Sequence, residues 1–268
     1  MKYVAFLDIL GFKEKLKKLD HHDAQNYILD FSSAVYNEWI KSEYETLQGY
    51  IISDSFVINT SDTTDESLKE LLKVVKRICE KEFAQNGILL RGGIAKGEFD
   101  KLEAKELSTL QKGLMVGQAY VEAYLLEGSK KLIGISLSEE VYEDVRNIET
   151  FNHDLFEEQL NGEQTYIFRY LTVDFLARER NLKKFVQLAI ESGWKPHFYN
   201  AIYFALRREK RDSNVDYIFS AIIRKIKNDG TGESNWRKLD EFIKGAFSDD
   251  VVPEFQTRFL KYIRNSLD

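Results

Sequence analysis

The chain is poor in the residues that carry covalent or soft-metal chemistry. Its one cysteine, Cys79, excludes an intrachain disulfide and a cysteine-based zinc site, and fits a reducing compartment. Two prolines argue against long disordered linkers. The four histidines, His21, His22, His153 and His197, are scattered, and the His21-His22 pair reads as surface. No stretch approaches the ~20 apolar residues of a membrane span. The apolar run after Met1-Lys2 is too short for a signal sequence. A net charge of −6 gives no electrostatic footprint for nucleic acid. Walker-type glycine loops, dinucleotide fingerprints and Ser/His/Asp arrangements are missing too. These absences describe a cytoplasmic protein with neither nucleic acid nor membrane as partner. A hydrophobic content of 43% in 268 residues supplies core for one large domain or two smaller ones.

What is present is a pair of aspartates, each ending an apolar run. Tyr3-Val-Ala-Phe-Leu7 leads into Asp8-Ile9-Leu10-Gly11-Phe12, and Gly49-Tyr50-Ile51-Ile52-Ser53 leads into Asp54-Ser55. A carboxylate emerging from a buried strand is costly unless something pairs with it. Taken singly, Asp8 is more often a helix N-cap and Asp54 a turn residue. Together, on adjacent strands at one end of a sheet, they suggest a shared cation. Leu10, Gly11 and Phe12 then fall at a helix start, where free N–H groups can bind phosphate.

Hydropathy periods divide the chain near residue 172. Before it, strands are expected at 3–7, in a hairpin over 49–60, and at 88–95, 132–137 and 165–170. Helices are expected across 22–43, from Ser67 to a left-handed cap at Asn86-Gly87, over 117–127, and after Ser138. Residues 99–113 read as a loop or short elements, and 229–232 as a flexible loop. After 172 only helical spacing remains, in five apolar sets. The expectation is an α+β domain over 1–171, a sheet with flanking helices, followed by an all-helical region over 172–268.

Several of these segments resemble the class III nucleotidyl cyclases, in the family's order across about residues 1–170. Asp8-Ile9-Leu10-Gly11-Phe12 is similar to the first metal motif, and Ile52-Ser53-Asp54-Ser55 to the second, with Ser53 where Gly is usual. Leu90-Arg91-Gly92-Gly93-Ile94-Ala95-Lys96-Gly97 resembles the Gly-Ile strand, and the stretch from Gly117 to Leu126 the helix that follows. The start, the Arg-Gly-Gly-Ile strand and Ala123-Tyr124-Leu125-Leu126-Glu127 look like the bacterial pyrimidine cyclases of anti-phage systems, which make cyclic UMP or cyclic CMP. The resemblance implies a palm-type, ferredoxin-like sheet. It also implies two Mg²⁺ or Mn²⁺ ions held by Asp8, Asp54 and the Ile9 carbonyl. A nucleoside triphosphate would be the substrate, with sites at a homodimer interface.

The departures bear on the base. The purine-selecting position four before the second metal Asp is Tyr50; a Tyr narrows the pocket and suits a pyrimidine. The second base-reading position is Leu114. The helix positions that usually carry Asn and Arg are Val121 and Leu125, which cannot donate a side-chain hydrogen bond. No lysine for the phosphates stands around Leu160–Gly162. Arg91 is the candidate to replace the missing Arg, its alternative being a salt bridge to Glu98 or Glu127; Lys96 and Lys112 read as surface before phosphate ligands. UTP is favoured over CTP with no residue-level reason. An inactive nucleotide-binding or dimerisation module on the same fold is the alternative.

Overall fold

A computed structural model describes residues 1–41, 44–102, 113–160, 162–207, 212–228 and 232–266. Lys112, Asn161 and three residues of the expected 229–232 loop lie outside the described residues. The chain divides into two compact units. The first comprises Met1–Lys130, Ile135–Glu158 and Thr165–Phe168; the second comprises Lys131–Gly134, Gln159–Gln164 and Arg169–Asp268.

The architecture is α+β. The strands are β1 (Lys2–Ile9), β2 (Leu47–Ile52), β3 (Ser55–Thr60), β4 (Leu90–Gly97), β5 (Asp100–Leu102), β6 (Leu114–Val116), β7 (Ile135–Leu137), β8 (Leu155–Leu160) and β9 (Glu163–Phe168). Seven form one sheet in the order β2-β3-β1-β4-β7-β9-β8, while β5 and β6 pair separately. β1 runs antiparallel to both β3 and β4, and β4 parallel to β7. The first unit's helices are α1 (Phe12–Leu16), α2 (His21–Ile40), α3 (Asp65–Asn86), α4 (Gln118–Ser129) and α5 (Glu139–Arg146).

β1 reads as an unbroken apolar run because both its faces are covered. Val4 and Phe6 pack with Val57, Ala95, Phe99 and the α4 alanines Ala119 and Ala123. Tyr3, on the opposite face, donates its hydroxyl to Asp144 of α5 at 2.8 Å. α4 lies very close to β4. A Cβ on Gly93 would stand 2.1 Å from the Ala123 carbonyl oxygen, so only glycine fits there. The α3 ends are as expected: Thr64 accepts from the Ser67 N–H at 3.3 Å, and Gly87 takes a left-handed conformation at φ 68°.

Two strand expectations need correcting. The strand expected at 132–137 begins only at Ile135. β8 was not expected at all. Its sequence, Leu-Phe-Glu-Glu-Gln-Leu, is rich in residues with low strand propensity, and it forms as a sheet edge through pairing with β9.

The second unit carries α6 (Val173–Ala177), α7 (Glu179–Glu191), α8 (Pro196–Leu206), α9 (Asp212–Asn228), α10 (Glu233–Gly245) and α11 (Pro253–Asn265). The first apolar set after 172 is thus two helices, broken at Arg178. Every residue from His197 to Leu206 is buried, the signature of a central helix. Arg169 Nη1 donates to the Phe204, Ala205 and Arg207 carbonyls at 2.7–3.2 Å, satisfying groups that the end of α8 leaves open. Trp236, counted among the apolar helical positions, is 71% exposed.

Candidate active site

The strand register sets the site. Asp8 is opposite Ser55 on β3 and opposite Arg91 on β4, so three neighbouring strands present one polar row. Alternation puts this row on the same face as Phe6 and Gly93, beneath α4. Ser55 Oγ donates to Asp8 Oδ1 at 2.9 Å. Arg91 Nη2 stands 4.0 Å from Asp8 Oδ2, while its Nε pairs with Glu127 Oε1 of α4. Glu127 is one of the two local acids, with Glu98, that the sequence offered Arg91; its side chain is only 7% exposed.

Asp54 sits in the two-residue turn between β2 and β3, and its carbonyl accepts from the Ile9 N–H at 3.2 Å. The turn holds Ser53 at φ 57°, a conformation that favours glycine and is strained for serine. Burial raises the Asp8 pKa above the ordinary carboxylate range. The Ser55 hydrogen bond opposes this, Asp54 adds to it, and Arg91 opposes it again. Glu127 is pushed up to about 7, chiefly by burial; Arg91 pulls it down, and Asp8 and Asp54 push it further up. A half-buried cluster of carboxylates with one arginine among them is short of positive charge. Hard oxygen donors in that state suit a divalent cation.

The phosphate-turn residues behave unequally. Leu10 does not offer a free amide, because its N–H is committed to the Leu89 carbonyl at 2.9 Å, extending the β1–β4 ladder. Gly11 adopts φ 77° and opens α1, its carbonyl accepting from Lys15 at 3.0 Å. The Phe12 ring stacks on Tyr27 of α2, with centroids 6.3 Å apart, which anchors the turn. Ile9 is buried.

Tyr50 lies opposite Val57, on the same face as Asp8, and packs against the Val4–Phe6–Val57 cluster. Its hydroxyl donates to Gln48 Oε1 at 3.0 Å. Lys96 is at the far end of β4 on the other face, ion-paired with Asp144 at 2.7 Å. Val121 and Leu125 are 54% and 62% exposed; with Val116, Gly117, Gln118 and Glu122 they line an open groove of about 580 Å³. Among the described residues no group of three or more His, Cys, Asp or Glu is placed to hold a metal. No helix among them is long and apolar enough to cross a membrane. Sequence reasoning assigned no role to Ser55. Its place beside Asp8 follows from the β1–β3 register, a pairing between segments far apart in the chain that no local pattern reveals.

No protein-family model and no curated protein sequence matches the chain. Solved structures of similar fold include the adenylyl cyclase CyaB from P. aeruginosa, at 16% identity and a TM-score of 0.47 over 62% of this chain and 92% of that one. The guanylyl cyclase Cya2 is similar at 12% identity and a TM-score of 0.47, over 63% and 90%. The guanylate cyclase domain of RhGC from Catenaria anguillulae, solved with GTP, is similar at 15% identity and a TM-score of 0.45, over 63% and 96%.

Proposed function

We propose that the chain is a metal-dependent nucleotidyl cyclase. In this reading it converts a pyrimidine nucleoside triphosphate, UTP before CTP, into the 3′,5′-cyclic monophosphate and pyrophosphate, as a second-messenger generator in anti-phage defence. Residues 1–171 form the catalytic domain and 172–268 a helical region. The observation that carries the reading is the polar row: Asp8, Ser55 and Arg91 in one line across three strands, with Asp54 in the adjoining turn.

Asp8, Asp54 and the Ile9 carbonyl would hold two Mg²⁺ or Mn²⁺ ions through hard oxygen donors. Such ions acidify a ribose hydroxyl and neutralise a leaving pyrophosphate. The chain's own residues then have defined tasks. Ser55 fixes the Asp8 carboxylate rotamer through its hydrogen bond. Glu127 holds the Arg91 guanidinium beside Asp8, aimed at charge developing on phosphate oxygens. Gly11 and Phe12 form the turn against the phosphates, with the Leu10 amide used internally. Tyr50 meets the base. As the ribose 3′-oxygen bonds to the α-phosphorus, it gives its proton to solvent water and the bond from the α-phosphorus to the β-phosphate oxygen breaks, releasing pyrophosphate. Positioning of these atoms supplies much of the rate.

A homodimer completes the reading. The exposed apolar residues Val116, Val121 and Leu125 would be covered by a second copy, and each site would combine groups of both. The same two α4 residues support the second reading, a cyclase-fold module without turnover. Incubating the chain with each of the four nucleoside triphosphates and Mn²⁺ separates the two. Pyrophosphate and a cyclic pyrimidine nucleotide are expected from wild type and neither from Asp8→Ala or Asp54→Ala. Identical traces from all three proteins would remove the enzyme reading.

A further inference from the structure

We propose that Lys101 and Gln48, flanking Tyr50, read the base and select uracil over cytosine; the proposal rests on the cyclase reading above. Lys101 lies on β5, directly opposite Met115 of β6 and one residue from the Leu102–Leu114 pair. Leu114 is the second base-reading position implied by the family resemblance, and it carries no polar group. The neighbouring strand supplies one instead. Lys101 Nζ stands over the Tyr50 ring, 4.8 Å from its centroid. Among the described residues no carboxylate pairs with this ammonium; the adjacent Asp100 is 3.9 Å from Lys2.

The arrangement decides which edge of a base Tyr50 can meet. The ammonium covers a face of the ring, so a base approaching from that side reaches the hydroxyl edge-on and does not stack. The hydroxyl proton is already given to Gln48 Oε1 at 3.0 Å. What remains on offer is a lone pair on Tyr50 Oη, the amide –NH₂ of Gln48 and the Lys101 ammonium: one acceptor between donors. Burial raises the Tyr50 pKa, which keeps the phenol protonated and this polarity in place.

Uracil matches the pattern. Its N3–H can donate to Tyr50 Oη while the flanking O2 and O4 carbonyls accept from Gln48 and Lys101. Cytosine opposes it twice, with a lone pair at N3 facing a lone pair and a 4-amino group facing a donor. A site built to hydrogen-bond one set of donors and acceptors discriminates more strongly against a mismatched set than a missing methylene does.

The test compares initial rates with UTP and CTP for the full chain, Lys101→Met and Gln48→Glu in Mn²⁺, with melting temperature as the check on folding. Wild type is expected to favour UTP. Lys101→Met should lower the UTP:CTP ratio about tenfold, the loss of one charge-assisted hydrogen bond. Gln48→Glu, which keeps the acceptor for Tyr50 and replaces the donor, should move the ratio toward CTP as well. A wild type that favours CTP, or a ratio unchanged in both folded variants, overturns the inference and leaves the cyclase reading standing. If wild type turns over neither nucleotide, the cyclase reading falls, and calorimetric binding of UTP and CTP decides the inference. A UTP preference lost in Lys101→Met then upholds it, and equal affinities overturn it.

Discussion

Single buried charges carry two consequences. Asp8 sits half-buried, offset among the described residues by Ser55 and by Arg91 at 4.0 Å, and its pKa is raised by burial first. Asp8→Asn keeps the shape and the Ser55 hydrogen bond while removing the charge. The metal-free variant should therefore be more stable than wild type, by about 1 kcal/mol in urea denaturation, and lack the stabilisation expected of wild type on adding Mn²⁺. That stabilisation amounts to about 2.7 kcal/mol at a free ion concentration of 100 Kd. Equal Mn²⁺ responses in the two proteins would remove Asp8 from the metal site. Glu82 of α3 is fully buried, and its pKa is pushed up to about 8 by burial, with Asn86 and then Lys81 opposing and Asp30 adding. Between the unfolded carboxyl pKa and about 8 the folded state holds a proton that the unfolded state has released. Stability from this group is thus full below about pH 4 and is lost as pH rises through about 8. Glu82→Gln should erase that loss: its advantage over wild type grows from pH 5.5 to pH 8.5 in denaturant titrations. A constant difference across that range would show that Glu82 does not titrate there.

Among the elements, the contact between α4 and β4 is the most demanding. Gly93 lets the helix descend until the Ala123 carbonyl leaves no room for a Cβ, and Leu126 Cβ stands 2.7 Å from where it would be. Gly93→Ala should cost about 1–3 kcal/mol through overpacking. It should also disturb the site, because α4 carries Glu127 and Glu127 holds Arg91. Thermal denaturation and a kinetic comparison would show both effects; a variant as stable as wild type would mean that α4 shifts freely. Most elements were legible from the sequence. α3 declared itself through its apolar face, its Thr64 start and its Gly87 end, and the β2–β3 hairpin through its apolar runs. β8 did not, because its three central polar side chains carry no period that separates an edge strand from a loop.

For the whole molecule, the proposed dimer turns on an apolar face that a monomer would leave wet. Val121 and Leu125 project from α4 more than half exposed, beside Val116. If a second copy covers them, Leu125→Glu should weaken association at least tenfold in sedimentation equilibrium by burying an unpaired charge. The same state of association in both proteins would exclude this face.

Local chemistry let the sequence by itself point to candidate residues. A strand-end Asp, a Gly-Phe turn, a second Asp in a hairpin and an Arg in an apolar strand are all readable within a few residues of chain. So is the change of texture near 172, because a helical period needs no partner to be seen. Only the tertiary structure decided who meets whom. It spent the Leu10 amide on Leu89, tied Arg91 to Glu127 and not Glu98, turned Lys96 toward Asp144, and brought Lys101 over Tyr50. Strand register and the depth of a helix on a sheet set those meetings. Both are fixed by packing between segments far apart in the chain, which no local pattern of residues encodes.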